Sequence, residues 1–107
     1  MLLRDSQGNI SCFQVKGHSG FDEAGQDIVC SAVSAIVQTA IMGLTDIVGI
    51  KPLYHQKNGL ANFKIPLDIP NEKMEKVGIV LETMLLGLKS IELGYDEYIT
   101  IREREVE

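Results

Sequence analysis

Two kinds of hydrophobic spacing divide this chain and limit what it can fold into. Two long segments repeat apolar residues every three or four positions, which is the spacing of one helix face, and short segments typical of strands lie around them. At 107 residues and 11.8 kDa the chain has room for a single core, so we expect one domain over 1–107.

The two helical segments have clear candidate ends. The first helix is predicted from Asp27 to about Leu44, with Gly43 and the following TDIVG ending it. The second is predicted from Asn71, which can cap it, to Gly94, which stops it. Their apolar positions are Val29, Val33, Ile36, Ala40 and Leu44 in the first helix, and Met74, Val77, Gly78, Leu81, Met84, Leu85, Leu88 and Ile91 in the second.

Five strands are predicted around these helices. They cover Met1–Arg4, Ile10–Lys16, Pro52–Gln56, Leu60–Pro66 and Tyr98–Arg102, with EREVE as a charged tail. SQGN and Asn58-Gly59 are turn sequences that join the first four strands into two hairpins. The order ββαββαβ predicts the α+β class, with a mainly antiparallel sheet covered by two helices.

Composition excludes several partners and cofactors. The net charge is −5 and no basic run exceeds two residues, which disfavours direct nucleic-acid binding. The N-terminus turns polar after three residues, and VGIVLETMLLGL is too short to span a membrane, so we predict no signal peptide and no membrane span. Two cysteines without a close Cys or His pair predict neither a disulfide scaffold nor a metal site, and we expect reduced thiols in the cytoplasm.

The run GHSGFDEAGQDIVC, residues 17–30, contains the residue types needed for nucleophilic chemistry. Gly17, Gly20 and Gly25 predict a flexible loop that carries His18 and leads to Cys30 near the start of the first helix. If Asp27 is the N-cap, Cys30 lies in the first turn, where unpaired N–H groups and the helix dipole stabilise a thiolate. Ser31 and Ser34 lie on the same side of this helix, and His18 can act as the base.

Simpler interpretations exist for each of these residues. Cys30 can pack as a small hydrophobe, His18 can be solvated, and Asp27 can serve only as a cap. Cys12, in mid-strand, favours a packing role, and His55 is expected to be an exposed strand residue, although it is the only competing base. Two other functions stay open: a peptide- or anion-binding module associated with the ribosome, and a thiol redox sensor that would need Cys12 as its resolving cysteine.

The run GHSGFDEAGQDIVCSAVSAIVQTAIMGL resembles the signature of the ribosomal-processing cysteine proteases, the Prp family. That signature has a Gly-His, a glycine-rich loop and then Gly-x-Asp-Ile-Val-Cys-x-Ala-Val-Ser-Ala at the opening of a helix. Here it is met by Gly17-His18, Gly20, Gly25, Asp27 to Cys30, and Ala32 to Ala35. The resemblance extends through the chain, from RDSQGNI to the closing Tyr98-Ile99-Thr100-Ile101.

The resemblance implies a homodimeric bacterial protease that uses no metal. Such proteases trim a short N-terminal extension from large-subunit ribosomal protein twenty-seven at a Phe-Phe-Ala sequence. It implies that Cys30 is the nucleophile, that His18 is the general base, and that Asp27 and Ser34 support the site. A substrate rich in phenylalanine needs an apolar groove, for which Phe21 with Ile41 or Met42 is our predicted lining.

Overall fold

The computed structural model describes residues 1–16, 24–57, 60–96 and 99–105, with only the backbone at 16, 24–27, 56, 57 and 60. Its elements in chain order are β1 (Leu2–Arg4), β2 (Ile10–Lys16), α1 (Ala24–Met42), β3 (Leu53–Lys57), β4 (Leu60–Lys64), α2 (Asn71–Gly94) and β5 (Glu103–Glu105). The predicted order ββαββαβ and the α+β class are confirmed.

The strands form one five-stranded sheet in the order β3-β4-β2-β1-β5. All neighbouring strands are antiparallel except β1 and β5, which are parallel, so the sheet is mainly antiparallel as predicted. The turn at SQGN joins β1 to β2 through Asp5, whose Oδ1 accepts the N–H groups of Gln7 and Asn9 at 2.9 and 3.0 Å. Gly8 has a φ of 84°, a left-handed conformation that glycine adopts without steric cost.

Both helices cover the same face of this sheet and share one hydrophobic core. Phe13 of β2 and Phe63 of β4 stack in it, with ring centroids 5.7 Å apart. The other face stays open, and its residues include Leu3, Cys12, Gln14, Asn62 and Lys64. The buried core residues are Leu2, Ile10, Phe13, Val29, Val33, Val37, Ala40, Leu44, Val48, Ile50, Phe63, Ile65, Val77, Leu81, Met84, Leu85 and Leu88.

Helix α1 differs from its predicted bounds at both ends. It begins at Ala24, so Asp27 is not its N-cap and Gly25 belongs to the helix instead of to the loop. A single glycine makes the free energy of helix formation only about 1 kcal/mol less favourable than alanine would, and its neighbours Ala24 and Gln26 are good helix formers. At the other end Gly43 does not stop the helix, which continues as a π-helix from Gly43 to Val48.

Gly49 is the residue that ends this continuous helical segment. Its φ is 83° and its N–H donates to the carbonyl of Leu44 at 3.0 Å, which satisfies one of the last free carbonyl groups. By length and apolarity alone, Ile28–Val48 would suffice to cross a membrane, a property that core helices of soluble proteins share. At 21 residues this stretch is longer than VGIVLETMLLGL, the segment on which the prediction of no membrane span was based.

Three smaller corrections concern the remaining elements. Asn71 is the first residue of α2 and Pro70 holds the cap position, because proline has no N–H to leave unpaired and its φ of −58° suits a helix start. β3 runs one residue later than predicted, and β4 ends at Lys64 instead of Pro66. Asn58-Gly59 lies outside the described residues.

The last strand lies at 103–105 instead of 98–102, within the segment predicted to be a charged tail. The N–H of Leu2 donates to the carbonyl of Arg102 at 2.8 Å, and Leu2–Arg4 pairs in register with Glu103–Glu105. The Arg4 guanidinium donates from Nε to Glu103 at 2.9 Å. Charged side chains suit an exposed edge strand, which explains why such a polar sequence extends the sheet.

Candidate functional site

Cys30 is half-buried on α1 and is the seventh residue of that helix. The first-turn position predicted from an Asp27 cap is therefore wrong, because the helix starts three residues earlier. The unpaired N–H groups at a helix start are those of its first four residues, here 24–27. Helical side chains lean toward the N-terminus and cover the preceding turn, so the Cys30 side chain still lies beside these donors.

Cys30 lies on the opposite side of α1 from the groove between the two helices. Successive helical residues are about 100° apart, so Thr39, nine residues further on, lies about 180° around the helix from Cys30. Thr39 lines that groove together with residues of α2. The Cys30 side of α1 therefore faces away from α2 and toward the β3–β4 end of the sheet.

Ser34 follows Cys30 by one turn on this side and is exposed. It lines a small pocket with Gln38 of α1 and Tyr54 of β3. Val15 and Ala61, cross-strand partners in β2 and β4, form part of the pocket floor. The structure thus places Cys30 and Ser34 on the same side of α1, as the predicted site requires, and adds Gln38 and Tyr54.

A larger pocket of about 390 Å³ lies on the other side of Val15 and Val33, which line both pockets. Its apolar lining includes Leu88 and Ile101, together with Phe13 of the core. Val33 is three residues beyond Cys30, and Val15 is three residues before His18. An apolar side chain can therefore be held near the point where the strand β2 and the thiol-bearing helix come together.

The described pockets beside Cys30 do not include Ile41 or Met42, and Phe21 lies outside the described residues, so the groove lining predicted from the sequence stays a prediction. Ile41 lies 11 residues beyond Cys30, about 16 Å along the helix axis, and Met42 is exposed on another side of α1. Neither lines the pockets beside Cys30. The sequence did not indicate that residues 99–102 line the larger pocket. Their position depends on a long-range contact with β1, for which the local sequence carries no signal.

Several predicted site residues lie outside the described residues. These are His18, Gly17, Gly20 and Phe21, and the side chain of Asp27 is likewise not described. The proposed pairing of His18 with Cys30 therefore stays a prediction, as do the supporting roles of Asp27 and Ser34. Gly25 is described through its backbone, which is helical.

The competing residues both lie on the open face of the sheet, away from Cys30. Cys12 is half-buried in β2, where its cross-strand partners are Leu3 and Lys64. His55 is exposed in β3 opposite Asn62, which also belongs to the open face. The sheet thus separates Cys30 from the described histidine and from the second thiol, and a disulfide between the two cysteines would require large movements of the backbone. This arrangement argues against the redox-sensor hypothesis.

The clearest electrostatic cluster of the described residues is structural and lies at the β1–β5 edge. Arg4 donates to both Glu82 oxygens, at 2.7 and 3.0 Å, and to Glu103 at 2.9 Å. Hydrogen bonding from Arg4, with a further contribution from Lys89, lowers the pKa of the Glu103 carboxyl. Among the described residues no group of three or more His, Cys, Asp or Glu side chains is arranged to hold a metal ion.

An α+β domain with a half-buried thiol on a helix flank, near a pocket of mixed apolar and polar lining, is an arrangement that a thiol-dependent hydrolase can use. Comparison with known proteins identifies the family. Residues 1–100 match the family model described as cysteine protease Prp. This chain belongs to the Prp family of cysteine proteases.

Relatives and solved structures agree with this assignment. The chain is 30% identical over 102 residues to the ribosomal processing cysteine protease Prp of Bacillus subtilis, covering 94% of this chain and 91% of the relative. The Prp protein of Staphylococcus aureus is 26% identical over 98 residues, covering 91% of this chain and 90% of the relative.

Among solved structures, SMU.848 from Streptococcus mutans has a TM-score of 0.85 at 25% identity, covering 98% of this chain and 91% of that one. The Staphylococcus aureus Prp in complex with a substrate peptide has a TM-score of 0.80 at 21% identity, covering 98% of this chain and 95% of that one. At this level of identity the second similarity shows that the fold is shared.

Proposed function

We propose that this chain is an endopeptidase that trims the N-terminal extension of large-subunit ribosomal protein twenty-seven at a Phe-Phe-Ala sequence. The observation that carries the proposal is the match to the Prp family over residues 1–100, which includes Cys30 on an accessible side of α1. The relatives from Bacillus subtilis and Staphylococcus aureus are named as ribosomal processing cysteine proteases, which supports a ribosomal protein as the substrate. Such a substrate places the enzyme in the cytoplasm.

The proposed mechanism uses Cys30 as nucleophile and His18 as general base. The imidazole of His18 accepts the thiol proton, and the sulfur forms a bond to the carbonyl carbon of the scissile peptide. The resulting oxyanion is held by N–H groups of the first helical turn, at residues 24–27. Collapse of this intermediate breaks the C–N bond, and His18 gives its proton to the leaving amine.

Hydrolysis of the thioester completes the reaction. Water loses a proton to His18 and attacks the acyl carbon, and the C–S bond breaks so that the carboxylate product leaves and the thiol is restored. Asp27 and Ser34 support this site, Ser34 from one turn beyond Cys30.

The pocket beside Val15 and Val33, whose lining combines apolar residues with Gln14, Thr100 and Arg102, is the proposed place for a phenylalanine side chain of the substrate. An aromatic ring that enters this pocket packs against Leu88 and Ile101, which removes apolar surface of the ring and of these residues from water. The net charge of −5 also suits a basic substrate, as ribosomal proteins in general bind RNA through Lys and Arg. Electrostatic attraction would then raise the rate of encounter, and this rate should fall as salt is added.

The test is to incubate the purified chain with the unprocessed ribosomal protein and to identify the products by mass spectrometry. A single cut after the Phe-Phe-Ala sequence or within it, which is lost in Cys30→Ser and retained in Cys12→Ser, supports the proposal. The alternative is a ribosome-associated module that binds a peptide or an anion without cutting it. That function predicts binding of the precursor with no cleavage by the wild-type chain, and indifference to the Cys30→Ser change.

A further inference from the structure

Residues 99–102 form one wall of the larger pocket, although they belong to no helix or strand. Ile99 and Ile101 pack against the core, while Thr100 and Arg102 are exposed. The other walls come mainly from β1, β2, α1 and α2, whose backbones are fixed by regular hydrogen bonding. The shape of the pocket therefore depends most on the contacts that hold this irregular wall in place.

Backbone hydrogen bonds hold the two ends of the wall. At one end, the N–H of Ile99 donates to the carbonyl of Tyr95, the first residue after α2, at 3.2 Å. At the other end, the N–H of Leu2 donates to the carbonyl of Arg102 at 2.8 Å, and β5 follows directly. Ile101 lies between these ends, and its backbone N–H has a side chain as its acceptor.

The acceptor for Ile101 is the carboxylate of Glu92 in α2. The N–H of Ile101 donates to Oε2 of Glu92 at 2.7 Å, and both residues are half-buried. An ionised acceptor makes a hydrogen bond shorter and stronger than one between neutral groups. A half-buried backbone N–H that loses its acceptor is costly, so the carboxylate fixes the backbone of Ile101 at this point.

The position of Glu92 in α2 connects this contact to the pocket. Leu88 lines the pocket and precedes Glu92 by four residues, so the two side chains lie on the same side of the helix. Leu88 supplies apolar surface to the pocket, and Glu92, one turn further on, holds the Ile101 backbone beside it. One side of α2 thus provides part of the lining and the support for the wall next to it.

Glu92 occupies a place where a carboxylate is not favoured by the helix itself. It is two residues before Gly94, the last residue of α2, and the C-terminal end of a helix carries partial negative charge. The hydrogen bond to Ile101 offsets this repulsion. Alanine at position 92 should support the helix at least as well as glutamate does, so the variant Glu92→Ala should fold.

The other ion-paired side chains of α2 hold a different part of the molecule. Glu82 binds Arg4 of β1, and Lys89 forms an ion pair with Glu103 of β5 at 3.3 Å. In the part of the chain that the structure describes, none of these four side chains lines the larger pocket. Glu92 is therefore the charged group of α2 whose contact reaches the pocket wall directly.

We infer that Glu92 is a positioning residue for substrate selection, because its carboxylate holds Ile101 where the larger pocket can accept an aromatic side chain. This role rests on the proposed function, in which a phenylalanine side chain of the substrate enters that pocket. Without the hydrogen bond, the wall would have to be ordered when the ring binds, which weakens binding. The Cys30 side of α1 faces away from α2, so Glu92 acts on binding and not on the reacting atoms.

The test compares cleavage of a precursor peptide containing Phe-Phe-Ala with cleavage of two peptides in which one phenylalanine is replaced by alanine. Glu92→Ala should raise KM for the first peptide about tenfold, the order of one charge-assisted hydrogen bond, and leave kcat unchanged. For the peptide that lacks the phenylalanine bound in the pocket, the same substitution should change KM less than about twofold. Glu92→Gln keeps a side-chain oxygen that accepts the N–H of Ile101, so it should restore most of the affinity.

Glu75→Ala is the matched control. Glu75 is exposed near the start of α2, about 25 Å along the helix axis from Glu92, and its substitution should leave KM unchanged for all three peptides. Circular dichroism establishes that each variant is folded. An unchanged KM in Glu92→Ala, an equal rise for all three peptides, or a fall in kcat at constant KM would each overturn the role of Glu92.

Two binding measurements separate this role from the proposed protease function. Calorimetry of the Phe-Phe-Ala peptide with Cys30→Ser and with Cys30→Ser/Glu92→Ala needs no cleavage, and the second protein should bind about tenfold more weakly. Absence of cleavage by the wild-type chain would overturn the proposed function alone, because this comparison still decides the role of Glu92. If Glu92→Ala does not fold, NMR of the wild-type chain provides the test. The amide signal of Ile101 should shift when the Phe-Phe-Ala peptide is added, and a constant signal at saturating peptide would overturn the inference.

Discussion

Cys12 and Cys30 lie on opposite sides of the sheet, although both are half-buried. Cys12 is on the open face in β2, paired across the strands with Lys64, and Cys30 is on the helix that covers the other face. Because both cysteines belong to the half-buried residues, a large difference in the reactivity of their thiols would point to their chemical surroundings. This makes Cys12 an internal control for any experiment on Cys30.

The first prediction uses this control. Under limiting iodoacetamide at pH 7, Cys30 should be alkylated at least about tenfold faster than Cys12, because a positioned base typically accelerates such a step by 10²–10⁴. His18→Ala should slow the labelling of Cys30 and leave that of Cys12 unchanged. Peptide mass spectrometry at several times measures both rates in one sample. Equal rates for the two thiols would argue against activation of Cys30 by His18.

The second prediction concerns Arg4, which connects β1 to α2 and β5. Its partners are partly exposed, and each such ion pair is worth about 0.5 kcal/mol, so Arg4→Ala should lower the free energy of unfolding by about 1 kcal/mol. Urea denaturation at pH 7 measures this change. Lys76→Ala is a suitable control because Lys76 is exposed on α2 and is not part of this cluster. An equal loss in both variants would contradict the structural role of the Arg4 cluster.

The same cluster predicts a dependence of stability on pH. The pKa of Glu103 is lowered in the folded chain, chiefly by the hydrogen bond from Arg4, so its contribution to stability is present above the pKa of the unfolded chain. This contribution to stability is lost as the pH falls through the lowered pKa that Glu103 has in the folded chain. The difference in unfolding free energy between wild type and Glu103→Gln, about 0.5 kcal/mol at pH 7, should therefore shrink at pH 3. A difference that grows in acid would have the wrong sign.

The fourth prediction concerns the glycine that ends the long helical segment. Gly49 has a φ of 83°, where an L-residue is strained by about 1–2 kcal/mol, so Gly49→Ala should be destabilising by about that amount. Gly94→Ala is the matched control, because Gly94 has no positive φ and a Cβ there meets open space. Thermal unfolding followed by circular dichroism compares the two. Similar midpoints for the two variants would show that position 49 does not require glycine.

Much of the fold could be predicted from hydrophobic spacing, and the errors have physical causes. The apolar stripes of α1 and α2 and the alternation in β2 are local patterns, and the corresponding elements were predicted correctly in type and order. β5 was misplaced because Glu103–Glu105 is a polar segment that becomes a strand only through pairing with β1, about 100 residues away in sequence. The start of α1 was predicted too late because Gly25 suggested a loop.

The candidate site was predictable in part. Cys30 and Ser34 are four residues apart, so helical geometry alone places them on one side of α1. The neighbours Tyr54 and Ile101 come from elements distant in sequence, and only the folded sheet brings them near α1. The register of the β3–β4 hairpin could have indicated Tyr54, since its partner Phe63 is a core residue. The placement of Ile101 required the contact between Arg102 and Leu2.

Cleavage of the ribosomal protein precursor by Cys30→Ser tests the central claim most directly. Serine keeps nearly the size and shape of cysteine on the half-buried side of α1, so the variant should fold and still bind the precursor. A serine hydroxyl is a much weaker nucleophile than a thiolate with the same base, so cleavage should fall to background, while Cys12→Ser should cut at the wild-type rate. Mass spectrometry of the products over time measures all three proteins. Wild-type cleavage by Cys30→Ser would contradict the account.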